Sequence, residues 1–210
     1  KTPQAKFQEL TNKMETLKIT VGNDVLPVFL KFIGVISSLI NWFQNLPEPI
    51  RKIIVISGSL PLSLPDDTYA KIITIAKKFG LITILDAKES VLKKGLGAEP
   101  YIIKPNRHEA EDLLEFELKT DDDLIKGIYF LTNYSKIACI TLDKDGCIIG
   151  NKNEIYRLHS PKIDIVNTVG SGDSFLAGMI YSFVNDKSIE EIGKSGISAG
   201  SANTLTKKGG

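Results

Sequence analysis

Residues 53–86 read IIVISGSLPLSLPDDTYAKIITIAKKFGLITILD, and the succession of patterns in that stretch decides the fold class. Ile53-Ile54-Val55-Ile56 is an unbroken β-branched run closed by Ser57-Gly58-Ser59, as expected of a strand buried on both faces. Pro65-Asp66-Asp67 then opens a helix with acidic residues in its first turn. Tyr69, Ile72, Ile73, Ile75, Ala76 and Phe79 make its apolar face, and Lys77, Lys78 and Gly80 close it. A second apolar run, Leu81 to Leu85, ends at Asp86. Strand, helix and strand at this spacing read as a βαβ unit, and so as part of a parallel sheet.

The alternation continues downstream. Tyr101 to Ile103 is a third strand ending at Lys104-Pro105-Asn106, a helix follows from about Arg107 to Glu117, and Thr120 to Asp123 is the capped start of another. Lys136 to Leu142 and Cys147 to Gly150 are two strands around an Asp145-Gly146 turn, a hairpin signal. Asp143-Lys144-Asp145-Gly146 lacks the further ligand positions and closing Glu of a calcium loop. Ser174 to Phe183 is a mostly apolar helix, and the capping box Ser188-Ile189-Glu190-Glu191 opens a last helix toward Thr206. Upstream, Phe7 to Leu17 and Leu39 to Leu46 fit helices, the latter with Trp42 and Phe43 as core residues.

Composition narrows the class. With 42% hydrophobic and 24% charged residues, the 210-residue chain is of ordinary globular make-up, and its length suffices for a large core. A net charge of +1, from 26 basic and 25 acidic residues, gives no electrostatic case for nucleic acid or an anionic membrane. Val25 to Ile40 is broken by Pro27, Lys31 and Gly34, too interrupted for a membrane span or signal segment. Cys139 and Cys147 read as buried thiols on neighbouring strands rather than a disulfide, which fits a reducing cytoplasm.

Thr168-Val169-Gly170-Ser171-Gly172-Asp173-Ser174 carries the chemistry. Glycines let the backbone approach an anion and turn successive amides toward it, and the helix behind adds its positive end. A carboxylate in such a cradle repels phosphate unless it accepts the proton of an attacking hydroxyl. Read alone, the loop fits equally a tight strand-to-helix turn with Asp173 as a capping or first-turn acid. It is neither a Walker A loop nor Gly-x-Gly-x-x-Gly.

Asn167-Thr168-Val169-Gly170-Ser171-Gly172-Asp173-Ser174-Phe175 resembles the C-terminal signature of the ribokinase-like sugar kinases, the phosphofructokinase B family. The resemblance implies Asp173 as catalytic base and the amides of Gly170, Ser171, Gly172 and Asp173 as an anion hole; Ser171 stands where the family usually has Ala. Lys104-Pro105-Asn106-Arg107-His108-Glu109 resembles the family's Lys-Pro-Asn-x-x-Glu element in the branch acting on sugar phosphates. It implies that Asn106 and Glu109 organise magnesium and the ATP phosphates, mostly through water, and that Lys104 contacts phosphate. Ser57-Gly58-Ser59-Leu60-Pro61 is similar to a stretch near the sugar-phosphate pocket of 1-phosphofructokinases and tagatose-6-phosphate kinases, which marks Ser57 and Gly58, with Asp86, as substrate-binding. Thr141-Leu142-Asp143-Lys144-Asp145-Gly146 resembles the family's Ser-Leu-Gly-x-x-Gly segment beside the nucleotide, and so brings in Thr141, Asp143 and Gly146; Asp143 departs from the usual Gly, and Thr141 replaces Ser. Ala199 to Asn203 is similar to the late helix bordering the adenine, and adds Asn203.

The resemblance implies one three-layer α/β/α domain, ribokinase-like, with a largely parallel central sheet, over residues 1–210. Residues 1–38 fit it less well and read as a remnant of the N-terminal substrate and lid region. Val21-Gly22-Asn23-Asp24-Val25-Leu26 resembles an element usually found further upstream, and the early sugar-gripping motif and β-sheet lid are absent. The chain is thus expected to be a piece of a longer kinase, or to have stretches missing. The implied activity is γ-phosphoryl transfer from ATP, with Mg2+, to a hydroxyl of a ketohexose phosphate, in a protein that pairs as a homodimer through its lid. Two alternatives stay open: a kinase of an unphosphorylated sugar or nucleoside, and a non-catalytic nucleotide-binding module.

Overall fold

The computed structural model describes residues 53–61 and 64–206. The expected helices at Phe7–Leu17 and Leu39–Leu46, and the Val21–Leu26 element, lie outside those residues. Six strands make one sheet in sequence order: β1 (Ile53–Ser57), β2 (Ile82–Asp86), β3 (Ile102–Ile103), β4 (Ile137–Thr141), β5 (Cys147–Gly150) and β6 (Ile155–Leu158). The first four are parallel, and β5 and β6 are added antiparallel. Helices α1 (Thr68–Lys78), α2 (Glu89–Gly97), α3 (Arg107–Leu114), α4 (Asp121–Leu131), α5 (Ser171–Val184) and α6 (Ile189–Thr204) complete the order.

Successive side chains of a strand point to opposite faces, so a strand apolar at every position feeds two cores. Leu85, Ile103, Ile140 and Ile148 pack with Ile73, Leu92, Leu113 and Ile128 of the first four helices. Their neighbours Ile84, Ile102, Cys139 and Ile149 pack with Phe175 and Met179 of α5 and Ile192 and Ile197 of α6. Two separate cores on one sheet are the expected three layers. Each fully buried Ile or Leu contributes about 1.5–3 kcal/mol, so burial on both faces anchors the sheet.

Several boundaries differ from the sequence reading, each for a local reason. Asp66 and Asp67 do not form a first turn: α1 starts at Thr68, with Asp67 its N-cap. α3 stops at Leu114 instead of reaching Glu117, because Glu115 turns left-handed at φ 61°. α5 starts at Ser171, three residues early, because Gly170 at φ 78° frees the chain to turn into the helix. Helix α2 and strand β6 were not expected at all. The capping boxes Thr120/Asp123 and Ser188/Glu191 are both formed. Cys139 and Cys147 are free and buried, on adjacent strands as expected. No helix among the described residues is long and apolar enough to cross a membrane.

Candidate active site

The parallel strands end in polar residues, all on one edge of the sheet. Ser57 closes β1 in register with Asp86, which closes β2, and the Gly58 amide donates to the Asp86 carbonyl at 3.0 Å. Lys104 follows β3 and reaches sideways: its Nζ lies 3.1 Å from Asp86 Oδ1, with the Lys104 side chain only 5% exposed and that of Asp86 16%. A buried ammonium needs a paired anion, and Asp86 supplies it. The Cys139 thiol sits beside this pair. Burial pushes its pKa well up and the neighbouring Cys147 thiol adds to that, with the Lys104 and Asp86 charges acting in opposite directions, so a thiolate is disfavoured there.

Asn106 and Glu109 stand at the start of α3 as a reciprocal capping box. Asn106 Oδ1 accepts from the Glu109 amide, and Glu109 Oε2 accepts from the Asn106 amide, both at 2.9 Å. Asn106 bridges to Thr141 at the end of β4, whose amide donates to the Pro105 carbonyl. Asp143 to Asp145 form a single 3-10 turn, with Asp143 at φ 51° and Gly146 at φ 94°. An ordinary side chain at 146 would overlap the backbone of Leu158, His159 and Ser160, so only glycine fits there. Ser57, Gly58, Asp86, Lys104, Asn106, Glu109, Thr141, Asp143 and Gly146 therefore form one connected group.

The second group is the glycine loop. Asn203 on α6 donates from Nδ2 to the Val169 carbonyl at 2.8 Å, and Asn167 Oδ1 accepts from the Val169 amide at 3.0 Å. Gly200 lets α6 close on Ser171 and Phe175, where a Cβ would stand 3.2 Å from the Ser171 carbonyl. The Ser171 amide is turned back to the Thr168 carbonyl, while the amides of Gly172 and Asp173 have no partner among the described residues. These are the orphan donors of a helix start, and a Cβ at Gly172 would meet no described atom within 4 Å. Asp173 is exposed in the first turn of α5, its carboxylate without a hydrogen bond or ion pair among the described residues. Phe175 and Leu176 share a core with Ile84 and Ile102, which lie two residues before Asp86 and Lys104, so the sheet carries both groups.

Fit to the implied ligands differs between the two groups. Amides without a partner among the described residues suit a phosphate oxyanion at the loop. Among the described residues no three His, Cys, Asp or Glu side chains cluster to cage a metal. Magnesium does not require such a cage, since it keeps its waters and takes one or two carboxylates plus substrate phosphates. Glu109 has Oε1, and Asn106 its amide nitrogen, outside the capping box.

Polar groups at the carboxyl ends of a parallel sheet, with a glycine loop opening a helix, define an α/β protein whose polar loops gather where such sheets bind their ligands. The chain belongs to the pfkB family carbohydrate kinases, which it matches over residues 43–210. It is 38% identical to 1-phosphofructokinase of Borreliella burgdorferi over 79% of this chain and 56% of the relative. It is 33% identical to tagatose-6-phosphate kinase of Staphylococcus epidermidis over 74% of this chain and 52% of that one. Its fold superposes on phosphofructokinase-2 of Escherichia coli with a TM-score of 0.74 at 28% identity, covering 82% of this chain and 56% of the other. The chain thus spans about half the length of the relatives it matches.

Proposed function

We propose that this chain carries the phosphoryl-transfer machinery of an ATP- and magnesium-dependent kinase acting on a ketohexose phosphate. The observation that supports it most is that one helical turn holds the Gly172 and Asp173 amides and the Asp173 carboxylate, none of which has a partner among the described residues. Asp173 takes the proton of the acceptor hydroxyl, the hydroxyl oxygen bonds to the γ-phosphorus, and the bond from phosphorus to the β,γ-bridging oxygen breaks to leave ADP. The loop amides hold the charge that develops on the transferring group. Glu109 and Asn106 would hold magnesium, largely by way of water, and the ion would offset the charge of the ATP phosphates.

The acceptor class follows from the Lys104-Pro105-Asn106 and Ser57-Gly58-Ser59 elements and from the names of the relatives, 1-phosphofructokinase and tagatose-6-phosphate kinase. The product is then a fructose or tagatose 1,6-bisphosphate, and a homodimer belongs to the same reading. The names of the relatives favour this kinase over the other reading left open, nucleotide binding without turnover. A coupled assay of ADP release against fructose 1-phosphate, fructose 6-phosphate and tagatose 6-phosphate separates them. Acceptor-dependent release supports the kinase; ATP binding with no release from any acceptor supports the second reading.

A further inference from the structure

We infer that Arg157, on β6, is a positioning residue that sets the shape of the Asp143–Gly146 turn and through it the affinity for ATP. This rests on the kinase reading above, in which that turn borders the nucleotide. One nitrogen of its guanidinium, Nη1, lies 2.9 Å from the Asp145 carbonyl, 3.2 Å from that of Cys147 and 2.8 Å from that of Leu158. It thus ties the turn to the first residue of β5 and the last of β6. A guanidinium keeps its charge at any working pH, and its bonds to carbonyls are charge-assisted.

The turn needs such a tie. Asp143 holds a left-handed backbone, which Asp tolerates better than most residues but which is not its preferred one. Its internal bonds are few: the Leu142 amide donates to the Gly146 carbonyl at 2.8 Å, the Asp145 amide to the Leu142 carbonyl at 2.9 Å, and the Gly146 amide to the Asp143 carbonyl at 3.3 Å. The other charges nearby hold it loosely. Arg107, half-buried, stands 3.9 Å from the exposed Asp145 carboxylate, and Asp121 Oδ1 is 3.5 Å from Arg157 Nε without a hydrogen bond. Without Arg157 the Asp145 carbonyl loses this donor, and Asp143 is free to relax toward its preferred backbone.

Isothermal titration of the chain with ATP and magnesium tests this, on Arg157→Met and Arg157→Gln beside the unaltered chain. Circular dichroism at the titration temperature reports whether each is folded. Arg157→Met, which keeps the apolar stem, is expected to bind ATP about tenfold more weakly while still fully folded. A folded Met variant with wild-type ATP affinity overturns the inference and leaves the kinase reading standing. Should the Met variant not fold, the Gln variant decides by the same criterion. If the unaltered chain binds no ATP, the kinase reading falls and the inference falls with it.

Discussion

Lys104 and Asp86 form a buried ion pair, 3.1 Å apart, across the ends of adjacent parallel strands. The pair has a consequence for the role that resemblance assigns to Lys104. An ammonium already neutralised and almost fully buried offers phosphate little net charge, so its first duty in this state is to Asp86. Removing one partner leaves the other buried and unpaired, which costs more than the pair contributes. Asp86→Asn is therefore expected to lower stability by about 3 kcal/mol, read by chemical denaturation. Lys104→Met in the same background is expected to recover most of that loss. A single Asp86→Asn variant as stable as wild type would show that the pair is not the support described.

The pair also marks the limit of sequence reading. β1, β2 and β4 were legible because Ile53–Ile56, Leu81–Leu85 and Lys136–Leu142 are apolar runs that two cores require. The hairpin was legible from Asp145-Gly146, and both later capping boxes from their spacing. β6 was not, because Ile155-Tyr156-Arg157-Leu158 is half-buried throughout and shows no clean alternation. Helix α2 was hidden by Gly95 and Gly97, although Leu92 and Leu96 stand four apart on one face. Gly95 is there because a Cβ would press on Leu85 at 2.6 Å, a fact of packing and not of propensity. Lys104 beside Asp86, and Arg157 beside Asp145, depend on strand register and so left no local signature.

Asp173 carries the strongest prediction for activity. Its residue is exposed and its carboxylate makes no hydrogen bond or ion pair among the described residues, so Asp173→Asn removes a proton acceptor and little else. Turnover is expected to fall by about 100- to 10,000-fold, the usual loss on removing a general base. The unfolding midpoint is expected to stay close to wild type. The comparison belongs in whatever length of the protein shows acceptor-dependent ADP release, and near-normal turnover by Asp173→Asn would remove it as the base.

Glu109 has two duties that substitution can separate. Glu109 Oε2 closes the capping box, a task that a Gln carbonyl oxygen can also perform. Glu109→Gln should thus melt like the wild type while needing more magnesium for half-maximal activity. Glu109→Ala loses the cap as well, and is expected to be about 1 kcal/mol less stable. A magnesium titration of Glu109→Gln that overlays the wild type would leave Glu109 a capping residue and nothing more.

Asp143 stands where related kinases usually have glycine, and its φ of 51° explains why glycine suits the position. Asp tolerates the left-handed region better than most residues, so the strain relieved by Asp143→Gly is modest. The added freedom of glycine in the unfolded chain, about 0.5–1 kcal/mol, offsets it. The two nearly cancel, and Asp143→Gly is expected within about 0.5 kcal/mol of wild type. A β-branched residue has no such tolerance: Asp143→Val should cost about 2 kcal/mol. ATP affinity then separates backbone from side chain at this position. If the turn acts through its backbone, Asp143→Gly binds ATP as the wild type does and Asp143→Val binds it more weakly. Loss of affinity in the glycine variant would instead place the Asp143 carboxylate itself at the nucleotide.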